Sequence, residues 1–190
     1  MQRIFDTKLL PTIESERLTL RRLRFDDADQ LFALHRDRAT LRFSPPPEWL
    51  DELTTADWIK HTHRGFANQT FFVWGVVLRS SNCLVGTASL FDYHPIHRFI
   101  SVSALMPPTD WACGHVAETI RTMTDLALGP MQMHRVEAET DARDAEAMAL
   151  LTELGFHREG QLREKVKIDD AWYDSVLFSM LRQEWSQTTR

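Results

Sequence analysis

Residues 99–140 read as strand, stop, turn, helix, stop and strand, and no other stretch limits the fold as sharply. "FISVSAL" (99–105) alternates in polarity and runs into Pro107-Pro108, where paired prolines cannot continue a hydrogen-bonded ladder. Gly114 follows. From it Val116, Ile120, Met123 and Ala127 recur at helical spacing until Gly129-Pro130 ends the run. "HRVEAET" (134–140) is again an alternating strand. Two strands joined through a helix return to one sheet in parallel. A mixed α/β fold with a strand–helix–strand crossover is therefore expected.

The flanking segments fill in an antiparallel front. "RLTLRRL" (17–23) alternates as a half-buried strand, and "DDADQLFALHRDRA" (26–39) follows with acids at its start and apolar residues at helical spacing. Asp26 is expected to cap that helix, with Asp27 and Asp29 near its positive end. "SPPPEWL" breaks the chain before a second helical region, roughly Glu48 to Phe66. Strands are expected at 71–79, 83–90 and 99–105. After the crossover come a helix from Asp144 to Leu154, stopped by Gly155, and two closing strands near 161–168 and 172–181. With 190 residues, no internal repeat and no linker, a single domain is expected over the whole length.

Composition narrows the class of partner. The formal net charge is −5, which argues against a nucleic-acid grip, since that needs a basic face. Cys83 and Cys113 are too few for a disulfide framework and form no metal-spaced pair, so a reduced, cytoplasmic setting is expected. The longest apolar run, "FFVWGVVL" (71–78), is far short of a membrane span. The start, "MQRIFDTKLL", holds no sustained apolar segment, so no signal peptide is read.

Cys113-Gly114-His115, at the head of the crossover helix, admits two readings. The first amides of a helix lack internal partners and carry partial positive charge, and a glycine lets an anion approach them, so a pyrophosphate fits there. Alternatively Cys113 is a thiol nucleophile with His115 as its base, which needs hydrogen-bond reach between them.

"SERLTLRRLRFDDADQLFAL", "LVGTASL", "DWACGHVAETI", "HRVEAETDARDAEAMALLTELGFHREG" and "AWYDSVLFSMLRQEW" occur in that order. As a series, from about Glu14 to Trp185, they resemble the GNAT acetyltransferases, in the branch of the ribosomal-protein alanine/serine N-terminal acetyltransferases. The resemblance implies a mixed, mostly antiparallel sheet of six or seven strands, splayed between strands four and five and flanked by about four helices, with acetyl-CoA held in the splay. It assigns the phosphate loop to Trp111, Ala112, Cys113, Gly114, His115, Val116 and Ala117, with Val116 replacing a usual small residue. It also assigns the pantetheine strand to Ala104, Leu105 and Met106. Under this reading the amide of Cys113 matters more than its sulfur.

Acetyl transfer to an amine further requires positioning, an oxyanion donor and removal of the ammonium proton. Glu139 is the first candidate base. It shares a strand face with Glu137, and two close carboxylates favour protonation of one. It also falls where some members of the resembled family carry a catalytic glutamate. A pair of solvated carboxylates is the alternative. Asp92 and His94, in "FDYHPIHR" (91–98), are expected in a hairpin loop as further acid–base or substrate contacts; no metal is implied. Three positions depart from the family: Asp144 stands for the Asn that helps hold the cofactor, Ala147 for a serine, and Ser101 for a glutamate common in the fourth strand. They leave a catalytically weak acyl-CoA-binding module as the competing function, with a cysteine hydrolase as a third. The acceptor is a small-molecule amine or a protein N-terminus, with neither nucleic acid nor membrane as partner, and a homodimer stays open. Trp49 and Trp58 are expected to pack as core or as a lid.

Overall fold

Alternation builds the sheet, and full burial marks its centre. The computed structural model describes residues 9–44 and 54–188. Strands β1 (Ile13–Glu14) and β2 (Leu18–Arg22) lead through a 3-10 turn at Phe25–Asp27 into α1 (Ala28–Arg36). Helix α2 (Thr55–Asn68) precedes β3 (Phe72–Leu78), β4 (Leu84–His94) and β5 (Phe99–Leu105). The crossover consists of α3 (Pro108–Ala112) and α4 (His115–Leu128), and ends in β6 (Arg135–Asp141). Helix α5 (Ala145–Glu153), β7 (His157–Ile168), β8 (Ala171–Leu181) and α6 (Arg182–Thr188) close the chain.

The result is a mixed sheet in the order β1-β2-β3-β4-β5-β6-β8-β7, antiparallel except where β5 meets β6. Eight strands stand where six or seven were expected. The added one, β1, is two residues long and too short to show a period. The helices likewise exceed four, because α3 and α6 are short terminal pieces of 5 and 7 residues. Strand β4 also outruns its expected end. It continues through Asp92 to His94 across a register shift, so the hairpin turn is confined to 95–98.

Helix α4 buries the face its spacing implied: Val116, Ile120, Met123 and Ala127 are all buried. They join Ile100, Val102, Val136, Ala138, Phe178 and Met180 in one cluster on the crossover side of the sheet. Each large aliphatic or aromatic side chain buried there stabilises the fold by about 1.5–3 kcal/mol. A smaller cluster of Leu23, Leu31, Ile59 and Val73 lies under α1 and α2. Trp58 packs against it, edge-on to His35 at 5.3 Å, and is thus core; Trp49, with the start of the expected second helix, lies outside the described residues. No helix among the described residues is long and apolar enough to cross a membrane.

The entry to α1 differs from expectation at one residue. Asp27, not Asp26, closes the turn: its Oδ2 accepts the Arg24 amide at 2.6 Å, and its two oxygens take Arg21 Nη1 and Nη2 at 2.8 Å each. Burial alone would push the Asp27 carboxyl up, but the hydrogen bonds from Arg21 and Arg24, with the Arg21 charge, more than offset it and hold the group below the usual carboxylate range. Its contribution to stability is therefore present above the unfolded-state pKa and is lost as pH falls through the depressed folded one. Asp27→Ala, which leaves the half-buried Arg21 without its anion, should cost about 2 kcal/mol at neutral pH. Urea unfolding across pH should show the gap from wild type closing in acid; a gap that stays constant would contradict the assignment.

Candidate functional site

Strand β6 is hydrogen-bonded to β8 along its whole length, from Arg135 opposite Leu181 to Asp141 opposite Ser175. Strand β5 is likewise held by β4, through Leu105 opposite Thr87. Between them, β5 and β6 pair at only three rungs: Phe99 with Arg135, Ile100 with Val136, and Ser101 with Glu137. Beyond that fork the strands part. This is the expected splay, numbered between the fifth and sixth strands because β1 adds one. Ala104 and Leu105 lie half-buried on its β5 edge, and Met106 is buried at its end. On the other edge of β5 the backbone is tight: a Cβ on Gly86 would stand 2.4 Å from Leu105 O, so only glycine fits there.

The loop above the splay has a specific backbone. Gly114 adopts φ 75, in the left-handed region. A Cβ there would meet nothing nearer than Arg17 Nη2 at 3.5 Å, so conformation rather than space requires the glycine. The Cys113 amide donates to Thr109 O (3.2 Å) and the Gly114 amide to Trp111 O (2.9 Å). The first bond of α4 runs from Glu118 N to Gly114 O at 3.1 Å. The amides of His115, Val116 and Ala117 precede it and form the helix's positive end. Within the expected Trp111-to-Ala117 stretch the amides of Cys113 and Gly114 are thus taken up by the turn itself, and those of His115, Val116 and Ala117 precede the first helical bond. Val116, the departure from a small residue, is buried on the core face, which explains its size. Trp111 also packs against the core.

His115 serves the loop rather than the thiol. Its Nδ1 lies 2.7 Å from Oδ1 of Asp110, a buried carboxylate. Among the described residues no hydrogen bond joins it to Cys113, whose thiol is exposed and free. Nothing in this arrangement provides a thiol nucleophile with its base. Asp144 is likewise occupied: its Oδ1 accepts the Ala147 amide at 3.0 Å and caps α5.

A polar network spreads over the sheet face opposite α4. Glu139 accepts from Ser175 Oγ (2.6 Å) and pairs with Lys165 Nζ (2.7 Å). Glu137 Oε1 is held by Arg135 Nε at 2.7 Å. Each carboxylate therefore faces a cation of its own, and the mutual repulsion expected from their shared face is offset. Arg135 also reaches Glu159 Oε1 at 2.7 Å, which in turn accepts Ser179 Oγ at 2.5 Å. The Ser179 hydroxyl and then Arg135 hold the Glu159 carboxyl below its ordinary range. Glu159 was missed in the sequence because a register shift between Arg158 and Gly160 leaves it out of the ladder, and a bulge has no periodic signature.

Of the other two candidates, Asp92 lies nearer the fork. It has φ 52, and its Oδ2 is 3.4 Å from the hydroxyl of Ser101, the residue in register with Glu137. The His94 ring is committed to the turn: it stacks on Phe99 and His97 at 5.1 and 4.4 Å, and its Nδ1 accepts the His97 amide.

Comparison with known proteins accords with this geometry. The family model described as an acetyltransferase (GNAT) domain matches residues 17–157. The uncharacterized N-acetyltransferase p20 of Bacillus licheniformis is 23% identical over 93% of this chain and 99% of its own length. Among solved structures, the ribosomal-protein-S5-alanine acetyltransferase of Vibrio fischeri superposes with a TM-score of 0.80 at 19% identity, covering 92% of this chain and 98% of that one. The spermidine N-acetyltransferase of Vibrio cholerae, in complex with CoA and spermine, gives 0.77 at 21% identity, covering 90% and 98%. With a sheet that parts at Ser101 and Glu137 beneath a left-handed glycine turn, and a family model spanning most of its length, the chain belongs to the GNAT acetyltransferases and is an N-acetyltransferase that uses acetyl-CoA.

Proposed function

We propose that the chain acts as one acetyltransferase unit in a reduced cytoplasm, moving the acetyl group of acetyl-CoA to a primary amine, borne by a small molecule or a protein N-terminus. The observation that carries this reading is the fork after Ser101 and Glu137, with the open amides of His115 to Ala117 at the head of the crossover helix. The spermidine and ribosomal-protein acetyltransferases among the structural relatives bracket the acceptor class. Acetyl-CoA supplies a thioester whose carbonyl carbon the amine attacks, forming the amide as the C–S bond breaks and a proton returns to the departing thiolate.

Under this reading each step is assigned to a group of the chain. The amides of His115, Val116 and Ala117, behind Gly114, receive the pyrophosphate. The backbone of Ala104, Leu105 and Met106, unpaired toward β6, receives the pantetheine arm and offers an N–H to the developing oxyanion. Glu139, two residues past the fork on the face opposite α4, takes the ammonium proton, with Ser175 and Lys165 fixing its carboxylate. Asp92, beside Ser101, orients the acceptor.

Two substitutions test the assignment. Gly114→Val forces a β-branched residue into φ 75 and should weaken CoA binding by about tenfold or more, roughly 1.4 kcal/mol. Calorimetry that finds wild-type affinity would remove the phosphate loop from these amides.

Glu139→Gln keeps shape but cannot accept a proton, so kcat with a responsive amine should fall by about 100-fold while CoA affinity stays near wild type. Near-normal turnover would move the role to Asp92 or to a water. Equal losses in Glu137→Gln and Glu139→Gln would point instead to a carboxylate pair that orients a cationic acceptor.

A further inference from the structure

The segment before β2 makes a contact that neither strand pairing nor core packing requires. Arg17 sits one residue ahead of β2, yet its side chain crosses to the loop that opens α4. Its Nη1 donates to Cys113 O at 2.7 Å and its Nη2 to Gly114 O at 3.2 Å, while Nε pairs with Glu118 Oε2 at 2.6 Å. The Arg17 amide and the Ser15 hydroxyl both donate to Glu118 Oε1, at 2.8 and 2.7 Å. One guanidinium thus spans two loop carbonyls and a carboxylate in the first turn of the helix.

The arrangement bears on anion binding in two ways. A helix start attracts an anion through its N–H groups and repels it through any carbonyl turned toward the same space. Gly114 supplies the left-handed turn, and Arg17 holds the Cys113 carbonyl and shares that of Gly114 with the Glu118 amide, leaving the amides of His115 to Ala117 to face the ligand. Glu118, four residues after Gly114, is the second effect. Burial would push its carboxyl up, but the hydrogen bonds from the Arg17 amide, the Ser15 hydroxyl and the Arg17 side chain hold it below the usual carboxylate range. It is therefore an anion at neutral pH beside the place where a diphosphate belongs, and Arg17 neutralises it. The guanidinium side chain is 45% exposed, so its long-range pull on a phosphate is screened; its contribution is the shape of the loop and the cancellation of Glu118.

We propose that Arg17 is a positioning residue for the pyrophosphate of the acetyl donor, acting through the carbonyls of Cys113 and Gly114 and through Glu118. The proposal rests on the phosphate-loop reading above. It predicts a selective defect, confined to donors that carry a pyrophosphate.

The test compares wild type, Arg17→Ala, Arg17→Lys and the Arg17→Ala/Glu118→Gln pair, using CoA affinity by calorimetry and steady-state kinetics with acetyl-CoA and with S-acetylpantetheine, which lacks the pyrophosphate. Thermal unfolding of each variant is recorded alongside. Arg17→Ala should weaken CoA by about tenfold, raise KM for acetyl-CoA more than it lowers kcat, and lose about twofold or less with S-acetylpantetheine. Removing the uncompensated charge as well, in the double variant, should recover part of the CoA affinity. Arg17→Lys keeps the charge without the fork and should fall between wild type and alanine. Wild-type CoA affinity in Arg17→Ala, full affinity in Arg17→Lys, or a parallel loss with both donors would overturn the proposal. A wild-type protein that binds CoA no better than pantetheine would overturn the phosphate-loop reading together with it.

Discussion

Strand β6 cannot follow two partners at once. Its seven residues are all paired with β8, while β5 is bound to β4 through its last residue, and the two strands share only the rungs from Phe99–Arg135 to Ser101–Glu137. Backbone polar groups need partners, and among the described residues β5 beyond Ser101 has no ladder partner on its β6 side.

The helix that spans the gap is anchored from both directions. From below, Val116, Ile120, Met123 and Ala127 fasten α4 to the sheet. From the side, Arg17 and Ser15 fasten its first turn to the start of the chain through Glu118. The second contact joins residues about a hundred positions apart in sequence. It makes the conformation of the Gly114 turn depend on the antiparallel front of the sheet as well as on the crossover. The side chains of Val116 and His115 are committed elsewhere: one fills the core, and the other is braced by the buried Asp110.

On the opposite face, charge is balanced locally. Glu137 and Glu139 share a side of β6, but Arg135 and Lys165 separate their fields, and Arg135 also serves Glu159. A carboxylate fixed by a hydroxyl and a lysine is oriented as well as neutralised. Ser101, at the fork, donates its hydroxyl to Asp92 and stands in register with Glu137.

How much of this was legible in the chain can be argued residue by residue. The order of strands and helices, the parallel crossover, the buried face of α4 and the need for glycine at 114 follow from periodicity and backbone stereochemistry, which are local and therefore written in neighbouring residues. The family was legible from the succession of motifs from "SERLTLRRL" to "FSMLRQEW". Which polar groups meet was not. Arg17 finding Cys113, Gly114 and Glu118, Glu159 leaving its ladder at a bulge to join Arg135, Asp144 turning to cap α5, and Lys165 reaching Glu139 are all settled by register and packing between distant segments. A hydrogen bond is directional and short-ranged, so its partners exist only once the sheet has fixed where each side chain ends. The elements and their succession are written in the chain, because they depend on local pattern, and the splay was implied by the family resemblance; the charge pairing was decided only in three dimensions, because it depends on which distant side chains the register of the sheet brings together.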